Sequence, residues 1–218
     1  LSPHQTEAWD WLQGEIDQKT LDKFAVRYRH PKEPPKKPEP TEGYITPELM
    51  QAITGHPASS FDQAFCSDFN DMLESTGFDQ HLDAMQMLMA NLCHESCGFV
   101  YMKEISDGLY LRGRTDLGHG PNEGEVWKGA GVLQLTGKYN YQRLADGIGD
   151  SRVMEGVDYV SNTYPFTSAR IWIEENNLLS VCLNEGFDAC CKRINGGWNG
   201  YEDRLAKYRI CQREMRLT

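Results

Sequence analysis

A run of five prolines within PKEPPKKPEPTE, at residues 31–42, constrains the fold more than any other feature of this sequence. Proline fixes its φ angle and has no amide proton, so neither a helix nor a central strand continues through such a run. The composition is typical of a semi-rigid, extended linker. It separates a short segment, residues 1–30, from residues 43–218, and only the second part is long enough to bury a sizeable core.

The N-terminal segment carries an apolar stripe at helical spacing, formed by Trp9, Leu12 and Ile16. This pattern predicts a short helical segment over residues 1–30. Because so short a segment cannot build a core alone, we expect it to dock on the main domain, on a partner or on a second copy of the chain.

Charge and hydropathy exclude several classes of protein. The formal net charge is −10 and no dense basic patch occurs, so we expect no nucleic-acid partner. No apolar run approaches the roughly 18 residues of a membrane-spanning helix, so we expect no membrane insertion. No signal-peptide pattern is visible, which favours synthesis in a cytoplasm, and a start at Leu1 rather than Met leads us to expect a piece of a longer product.

The cysteines form no recognisable disulfide or metal-binding framework. Their number is odd, which leaves at least one unpaired within the chain, and no paired CxxC motif occurs. Because free cysteine is among the most buried residue types, we expect reduced thiols in the interior, as in a cytoplasmic protein. The seven positions are 66, 93, 97, 182, 190, 191 and 211.

Helical periodicity dominates the main part of the chain. The predicted helices cover residues 46–53, 61–73, 81–95, 165–175 and 201–215. Residues 99–140 differ, because they are rich in glycine and contain only short extended pieces. We therefore predict an α+β domain, mainly helical, with a small sheet or loop lobe set between the helices.

One glutamate interrupts the apolar face of the helix predicted over HLDAMQMLMANLCHES, residues 81–96. Met85, Leu88 and Leu92 share that face, and Glu95 continues their spacing. Burial of a carboxyl group favours its protonated form, which is the form that a general acid needs. Periodicity alone fits equally well a glutamate that turns to solvent where the helix ends.

The sequence at the end of this helix resembles a zinc-protease motif but lacks the second histidine. His94 and Glu95 begin like HExxH, but Gly98 stands where the second histidine belongs. Cys93 and Cys97 are four residues apart, and no second pair accompanies them. We therefore predict no metal site.

A second carboxylate, Glu104, follows nine residues after Glu95. Gly98 lies between them and is expected to end the helix and let the chain fold back. The two glutamates would then face each other across a groove, as the two carboxylates of a glycoside hydrolase flank a sugar bond. The spacing alone is also compatible with two solvated side chains.

The segment GAGVLQLTGKYNY, residues 129–141, has the alternation of a half-buried strand. Leu133 and Leu135 alternate with Gln134 and Thr136, whose amide and hydroxyl would share a polar face. Such a pair is able to hold a water molecule or a sugar hydroxyl. An ordinary edge strand fits the pattern as well.

Several motifs follow one another in order: HESCGF, YMKE, YLRGRTDLGHG, WKGAGVLQLTGKYNY, INGG and YEDRLAKY. Together they resemble glycoside hydrolase family 19, the chitinases and phage endolysins with a lysozyme-like fold. The resemblance covers about residues 90–211, with weaker similarity back to about residue 44, and RTDLG at residues 114–118 is closer to the bacterial and phage branch. It implies a two-lobed domain with a central cleft.

The resemblance also implies roles for individual residues. The catalytic residues would be Glu95 as general acid, Glu104 as general base and Thr136 as a holder of the attacking water. The substrate-binding residues would be Gln134, Tyr139, Asn140, Asn195 and Arg204. The implied reaction inverts the anomeric configuration and requires neither a metal nor an organic cofactor. One departure is Ala130, which replaces the arginine of the family's Gly-Arg-Gly.

Three functions remain open at this point. The first is an endo-acting muramidase that cleaves β-1,4 bonds of peptidoglycan, as a phage endolysin or a virion-associated lysin. It would be found in the host cytoplasm before release to the cell wall, or on the virion, with residues 1–42 as a possible contact to a virion partner. The second is a chitinase on the same fold. The third is a virion structural or wall-binding protein with weak or no activity, which the tethered N-terminal segment and Ala130 would fit.

Overall fold

The structure, a computed structural model, describes residues 43–215. The predicted N-terminal helical segment, residues 1–30, and the whole of the predicted linker, residues 31–42, lie outside the described residues, so both stay predictions.

Helices account for most of the described chain. Their bounds are α1 Pro47–Thr54, α2 Gln63–Thr76, α3 Leu82–Glu95, α4 Lys138–Ile148, α5 Val157–Thr163, α6 Arg170–Glu175, α7 Leu178–Glu185, α8 Phe187–Asn195 and α9 Tyr201–Glu214. The helix predicted over residues 165–175 is a 3₁₀ turn, Thr167–Ala169, followed by α6. The other four predicted helices are confirmed within a few residues, whereas α4, α5, α7 and α8 were not predicted.

Local signals explain where α1 and α3 begin and end. Thr46 caps α1, because its hydroxyl accepts from the amide of Leu49 at 3.2 Å. After α3 the chain folds back, and Gly98, with φ of 74°, donates its amide to the carbonyl of Cys93 at 2.7 Å. The expectation that Gly98 lets the chain turn is confirmed, since a positive φ favours glycine.

The larger hydrophobic core surrounds α3, which packs on α7, α8 and α9. Leu88 and Leu92 are fully buried in it. Phe69 stacks on Phe166 with ring centroids 4.0 Å apart, which ties α2 to the turn before α6. Burial of each such side chain contributes about 1.5–3 kcal/mol, so this core holds the helical lobe together.

A second, smaller core lies under the glycine-rich region. It joins α4, the 3₁₀ turn Ser151–Glu155 and α5 around Trp127 and Tyr141, whose rings meet edge to face at 5.3 Å. Ala130 is fully buried in this core. The two cores correspond to the two lobes expected for a lysozyme-like domain.

Pairing between extended segments is limited to two isolated antiparallel bridges among the described residues, Lys103 with Ala130 and Ala130 with Leu135. The strand predicted around Leu133 is therefore wrong. Ala130 and Leu135 exchange hydrogen bonds of 3.0 and 2.8 Å and close a tight loop between them. Gly131 and Gln134 have φ of 74° and 54°, so the alternation of apolar and polar residues belongs to a turn. The fold class is confirmed, with the small lobe built from loops more than from a sheet.

No helix in residues 43–215 is long and apolar enough to cross a membrane.

Candidate active site

Glu95 is the last residue of α3 and has its side chain at the surface. The side chain is 29% exposed, so the expectation that it lies on the buried stripe is wrong. The stripe ends at Leu92, which is fully buried, because one turn later the neighbouring helix α9 presents a charged group, Arg204. The carboxylate therefore faces a cation at the edge of the core.

The guanidinium of Arg204 is buried, with 1% of the residue exposed, and its nitrogens bind three different partners. Nη2 donates to Oε1 of Glu95 at 2.5 Å, and Nη1 donates to Oδ1 of Asn91 at 2.9 Å. Nε donates to the carbonyl of Asn199 at 3.3 Å. A planar guanidinium with several fixed partners holds one orientation, so Arg204 fixes the position of the Glu95 carboxylate.

The predicted sugar-binding residue Asn195 belongs to the same group of contacts. Its Nδ2 donates to the carbonyl of Asn199 at 3.1 Å, the carbonyl that also accepts from Arg204. Asn195 ends α8 and is half-buried. Glu95, Arg204 and Asn195 thus form one hydrogen-bonded group on the helical lobe.

His94 makes a further hydrogen bond beside this group. Its Nδ1 lies 2.6 Å from Oδ2 of Asp203, whose Oδ1 accepts from Lys207 at 3.1 Å. Burial works to raise the pKa of Asp203, but the hydrogen bonds from His94 and Lys207 outweigh it and lower the pKa. A Cβ on Gly200 would overlap the His94 ring, so a glycine is required there.

Glu104 is held on the loop lobe by two donors. The amide of Gly129 donates to Oε2 at 2.8 Å, and the hydroxyl of Tyr110 donates to Oε1 at 2.8 Å. The Glu104 amide in turn donates to the carbonyl of Gly129 at 2.9 Å. Both oxygens of the carboxylate are therefore oriented, and the residue is half-buried.

Three other predicted residues form a series of contacts that begins at the same glycine. A Cβ on Gly129 would lie 2.5 Å from Oε1 of Gln134, so the Gln134 amide rests against it. The Thr136 hydroxyl donates to the carbonyl of Gln134 at 2.8 Å. Asn140 donates from Nδ2 to the carbonyl of Thr136 at 2.8 Å. Because the hydroxyl proton of Thr136 is engaged, its oxygen is left to accept a hydrogen bond from water.

Tyr139 is the predicted site residue that takes no part in these hydrogen bonds. Its side chain is 60% exposed on the first turn of α4. A Cβ on Gly118 would lie 2.8 Å from the Tyr139 ring, so the ring packs on the backbone of the RTDLG segment. It offers an exposed aromatic surface next to Asn140.

Apart from Tyr139, the predicted residues therefore lie in two groups, one around Glu95 and one around Gly129, which binds Glu104. Glu95 belongs to the first, with Arg204 and Asn195. Glu104 belongs to the second, with Gly129 between it and Gln134. One carboxylate accepts from a buried cation and the other from a backbone amide and a phenol, so the two glutamates have different polar partners.

Two tryptophans, Trp127 and Trp198, differ in exposure. Trp127 is 5% exposed and belongs to the second core, so it is a packing residue. Trp198 is 52% exposed, and it lines a cavity of about 600 Å³ together with Tyr201 and Asp203. The Lys192 ammonium lies 4.2 Å from the centroid of the Trp198 ring.

No group of three or more metal-ligating side chains occurs within residues 43–215. All seven cysteines are free thiols, and Cys97 is the exposed one. Burial is the main cause that raises the pKa of Cys66 and of Cys93, to about 11 in each case. Thiols with such pKa values are poor metal ligands and poor nucleophiles near neutral pH.

Three residues that bind Arg204 or Glu104 were not predicted from the sequence. Asn91 lies four residues before Glu95, and this i, i+4 spacing was the available signal. Asn199 acts through its backbone carbonyl, which carries no residue-specific signal. Tyr110 lies on a loop whose path the sequence pattern does not define.

Curated relatives have the same type of domain. An Arabidopsis thaliana endochitinase is 33% identical over 162 residues, which cover 70% of this chain and 56% of the relative. A second Arabidopsis endochitinase is 28% identical over 179 residues, covering 78% and 61%. This chain thus spans less than two thirds of either plant relative. A glycosyl hydrolase family 19 domain-containing protein of Haemophilus influenzae is 34% identical over 158 residues, covering 56% of this chain and 76% of the relative.

Solved structures agree on the fold. A bacterial family 19 chitinase superimposes with a TM-score of 0.62 at 16% identity, over 80% of this chain and 96% of that one. Chitinase C from Streptomyces griseus HUT6037 gives 0.57 at 18% identity, over 81% and 95%. No family model matches the chain. The fold is the lysozyme-like fold of the glycoside hydrolases. Together with the Haemophilus relative, this places the chain in glycoside hydrolase family 19.

Proposed function

We propose that this chain is an endo-acting glycosidase that cleaves β-1,4 bonds of an amino-sugar polymer with inversion. The observation that carries the proposal is that two glutamates are each held by fixed donors, Glu95 by Arg204 and Glu104 by Gly129 and Tyr110. Two oriented carboxylates in different environments are what this reaction needs. No cofactor enters the proposed reaction.

Glu95 acts as the general acid and protonates the glycosidic oxygen as the bond breaks. Proton transfer leaves a negative charge on the carboxylate, and Arg204 is already in place to stabilise that charge. An interaction that strengthens as charge develops lowers the barrier. Asn91 keeps the guanidinium aligned for this role.

Glu104 acts as the general base toward a water molecule on the opposite face of the sugar. The carboxylate oxygens each have about two lone-pair directions, and Gly129 and Tyr110 occupy one on each oxygen. The remaining directions are free to accept the proton of the water. Thr136, whose hydroxyl proton is bound to the Gln134 carbonyl, accepts the water's second hydrogen bond. Gln134, Tyr139, Asn140 and Asn195 contact the sugars.

For the polymer, we propose peptidoglycan, with the chain acting as a muramidase of phage type. The order of the motifs and the RTDLG segment support this choice. Before release to the wall the protein would stay in the host cytoplasm, or be carried on the virion through residues 1–42. Chitin is the second candidate, and the two Arabidopsis endochitinases favour it.

Parallel digestion of peptidoglycan and of chitin oligosaccharides tests both candidates. Mass spectrometry of the products identifies the bond cut, and NMR of the first-formed anomer tests inversion. New reducing ends on N-acetylmuramic acid would establish the muramidase, and turnover of chitin oligosaccharides alone would establish the chitinase. A folded protein that binds the wall and cuts neither polymer would instead be the structural or wall-binding component.

The catalytic assignments require variants with a matched control. Glu95→Gln and Glu104→Gln should each lower kcat by about 10²–10⁴-fold, the range for loss of a general acid or base. Glu185→Gln is the control, because Glu185 is exposed and also ends a helix. Activity of Glu95→Gln equal to that of the control would contradict the assignment.

A further inference from the structure

Tyr110 is an exposed tyrosine whose hydroxyl is nevertheless engaged. Its side chain is 62% exposed, and its hydroxyl donates to Oε1 of Glu104 at 2.8 Å. We propose that Tyr110 is a positioning residue, which orients the Glu104 carboxylate for proton removal from the attacking water. The inference rests on the proposed role of Glu104 as general base.

The two donors to Glu104 have complementary effects. The Gly129 amide fixes Oε2 from the backbone, but a single hydrogen bond leaves the carboxylate free to rotate about it. The Tyr110 hydroxyl fixes Oε1, so the plane of the carboxylate is defined by two points. Misplacement of a catalytic group by about 1 Å is enough to lower a rate about 10²-fold, so the second donor has a direct catalytic consequence.

The loop that carries Tyr110 is itself held in place. Tyr110 is the middle residue of a 3₁₀ turn, Leu109–Leu111, which begins after Gly108 with φ of 82°. A Cβ on Gly124 would overlap the Gly108 carbonyl oxygen and lie 2.7 Å from the Arg112 amide. The backbone of Gly124 therefore lies against the residues on both sides of the turn. The position of the phenol is therefore set by the backbone rather than by its own exposed ring.

Side-chain contacts complete this closure. Arg112 pairs with Glu125 across the loop, with Nε 3.1 Å from Oε2. Nδ1 of the buried His119 lies 2.8 Å from the carbonyl of Leu111, the residue after Tyr110. Nζ of Lys128 lies 2.5 Å from the carbonyl of Ser106. Three contacts thus tie the segment around Tyr110 to residues 119–128, and the last of these, Lys128, is next to Gly129.

The phenol of Tyr110 stays protonated near neutral pH, so it remains a hydrogen-bond donor. The hydrogen bond to Glu104 is the main cause that raises the pKa of Tyr110 above its ordinary value. Arg114 opposes this effect electrostatically. Tyr141 also responds to Glu104, because burial first and the carboxylate second raise the pKa of its phenol. Arg114 and Tyr141 are unchanged in the variants described below. A difference in activity between those variants therefore does not come from Arg114 or Tyr141.

An exposed tyrosine beside a catalytic group also suits direct stacking on a sugar. The two roles separate at the hydroxyl, because stacking uses the ring and positioning uses the oxygen. Tyr110→Phe keeps the ring and removes the donor. Tyr101→Phe is the matched control, since Tyr101 is 48% exposed in the same region and its hydroxyl has no partner among the residues described.

The experiment measures kcat and KM for both variants on the polymer that the wild type cleaves. Tyr110→Phe should lower kcat about 10- to 100-fold, the range for loss of a hydrogen bond to a charged group, with KM within about twofold. Arg112→Gln should lower kcat by less, while Tyr101→Phe should match the wild type.

Two outcomes would overturn the inference: a wild-type kcat for Tyr110→Phe, or a rise of KM with kcat unchanged. Glu104→Gln is assayed beside them. If Glu104→Gln is inactive while Tyr110→Phe is unaffected, the inference alone fails. If Glu104→Gln is fully active, the proposed function fails. The melting temperature of Tyr110→Phe should stay near that of the wild type, because the ring is exposed.

Discussion

Asn91 and Glu95 lie one turn apart on α3, and both accept hydrogen bonds from the guanidinium of Arg204, at 2.9 and 2.5 Å. Asn91 is fully buried and Glu95 is part exposed. A single cation therefore links the interior of the helical lobe to the carboxylate at its surface. Stability and catalysis are expected to depend on the same side chain.

Arg204→Lys tests this dependence. A lysine keeps the charge but has no planar fork, so it cannot bind Asn91, Asn199 and Glu95 together. We expect kcat to fall about 100-fold and the free energy of unfolding to fall by about 2–3 kcal/mol, below the full value for a broken buried pair because Glu95 is part exposed. Urea titration measures the stability, and digestion of the polymer that the wild type cleaves measures kcat.

Arg209→Lys is the matched control for that variant, since Arg209 is exposed on the same helix. It should leave both quantities unchanged. If Arg204→Lys and Arg209→Lys have the same kcat and the same free energy of unfolding, the buried hydrogen bonds of Arg204 contribute to neither quantity.

The tight loop that carries Gln134 and Thr136 depends on Gly131. A Cβ there would overlap Oγ of Ser168 and lie 2.7 Å from the Pro165 carbonyl, and φ is 74°. Gly149→Ala is a control for the conformation alone, because Gly149 has φ of 73° and nothing within 4 Å of a Cβ. Gly149→Ala should lower the free energy of unfolding by about 1–2 kcal/mol. Gly131→Ala should lower it by several kcal/mol more, and thermal unfolding measures both. Equal losses would mean that the neighbours of Gly131 move aside freely.

Asp150 anchors the smaller lobe. It is buried and accepts from the hydroxyls of Tyr159 at 2.7 Å and Tyr164 at 2.8 Å. Burial works to raise its pKa, but these bonds and the Arg152 amide outweigh it and lower the pKa. A lowered folded-state pKa adds stability above the unfolded value, about pH 4, and that stability is lost as pH falls through the folded value.

Asp150→Asn should therefore be less stable than the wild type by about 1–2 kcal/mol near pH 7, where the charge-assisted bonds are complete. The difference should shrink between about pH 5 and pH 2. Urea midpoints across this range provide the measurement. A difference that is constant with pH would show that the ionised carboxylate is not what stabilises the lobe.

Cysteine labelling tests the burial of the thiols. Cys97 is exposed, and the other six cysteines are buried. A thiol reagent such as DTNB at pH 8 should label one site per native chain and seven after denaturation. Cys97→Ser should abolish the native reaction. Rapid labelling of several sites would contradict the packing of the larger core.

The sequence predicted α3 and the turn after it well, because apolar periodicity and a glycine at a chain reversal are local signals. It failed for the exposure of Glu95, which depends on Arg204, 109 residues away in the chain. The shorter helices were missed for another reason. Helices of 7 to 11 residues, such as α5 and α4, gain their stability from packing, and packing is not visible in a local pattern.

Within the site, the motif-derived residues fell into two groups that the order of motifs did not reveal. The strand expected around Leu133 failed because alternation over four residues also fits a loop closed by Ala130 and Leu135. Tyr110 had no sequence signal, since its contact with Glu104 depends on the backbone approach of Gly108 and Gly124. Closure of such a loop depends on tertiary contacts, which a local sequence pattern does not show.

The main chain of Glu104 is anchored independently of its carboxylate. Its amide binds the Gly129 carbonyl at 2.9 Å, and the adjacent Lys103 pairs with Ala130. Replacement of the side chain therefore leaves the backbone frame in place. On the proposed mechanism, a Glu104→Gln protein would grip an uncut polymer, which makes it a reagent for staining the material it recognises and for isolating fragments of that material from a mixture.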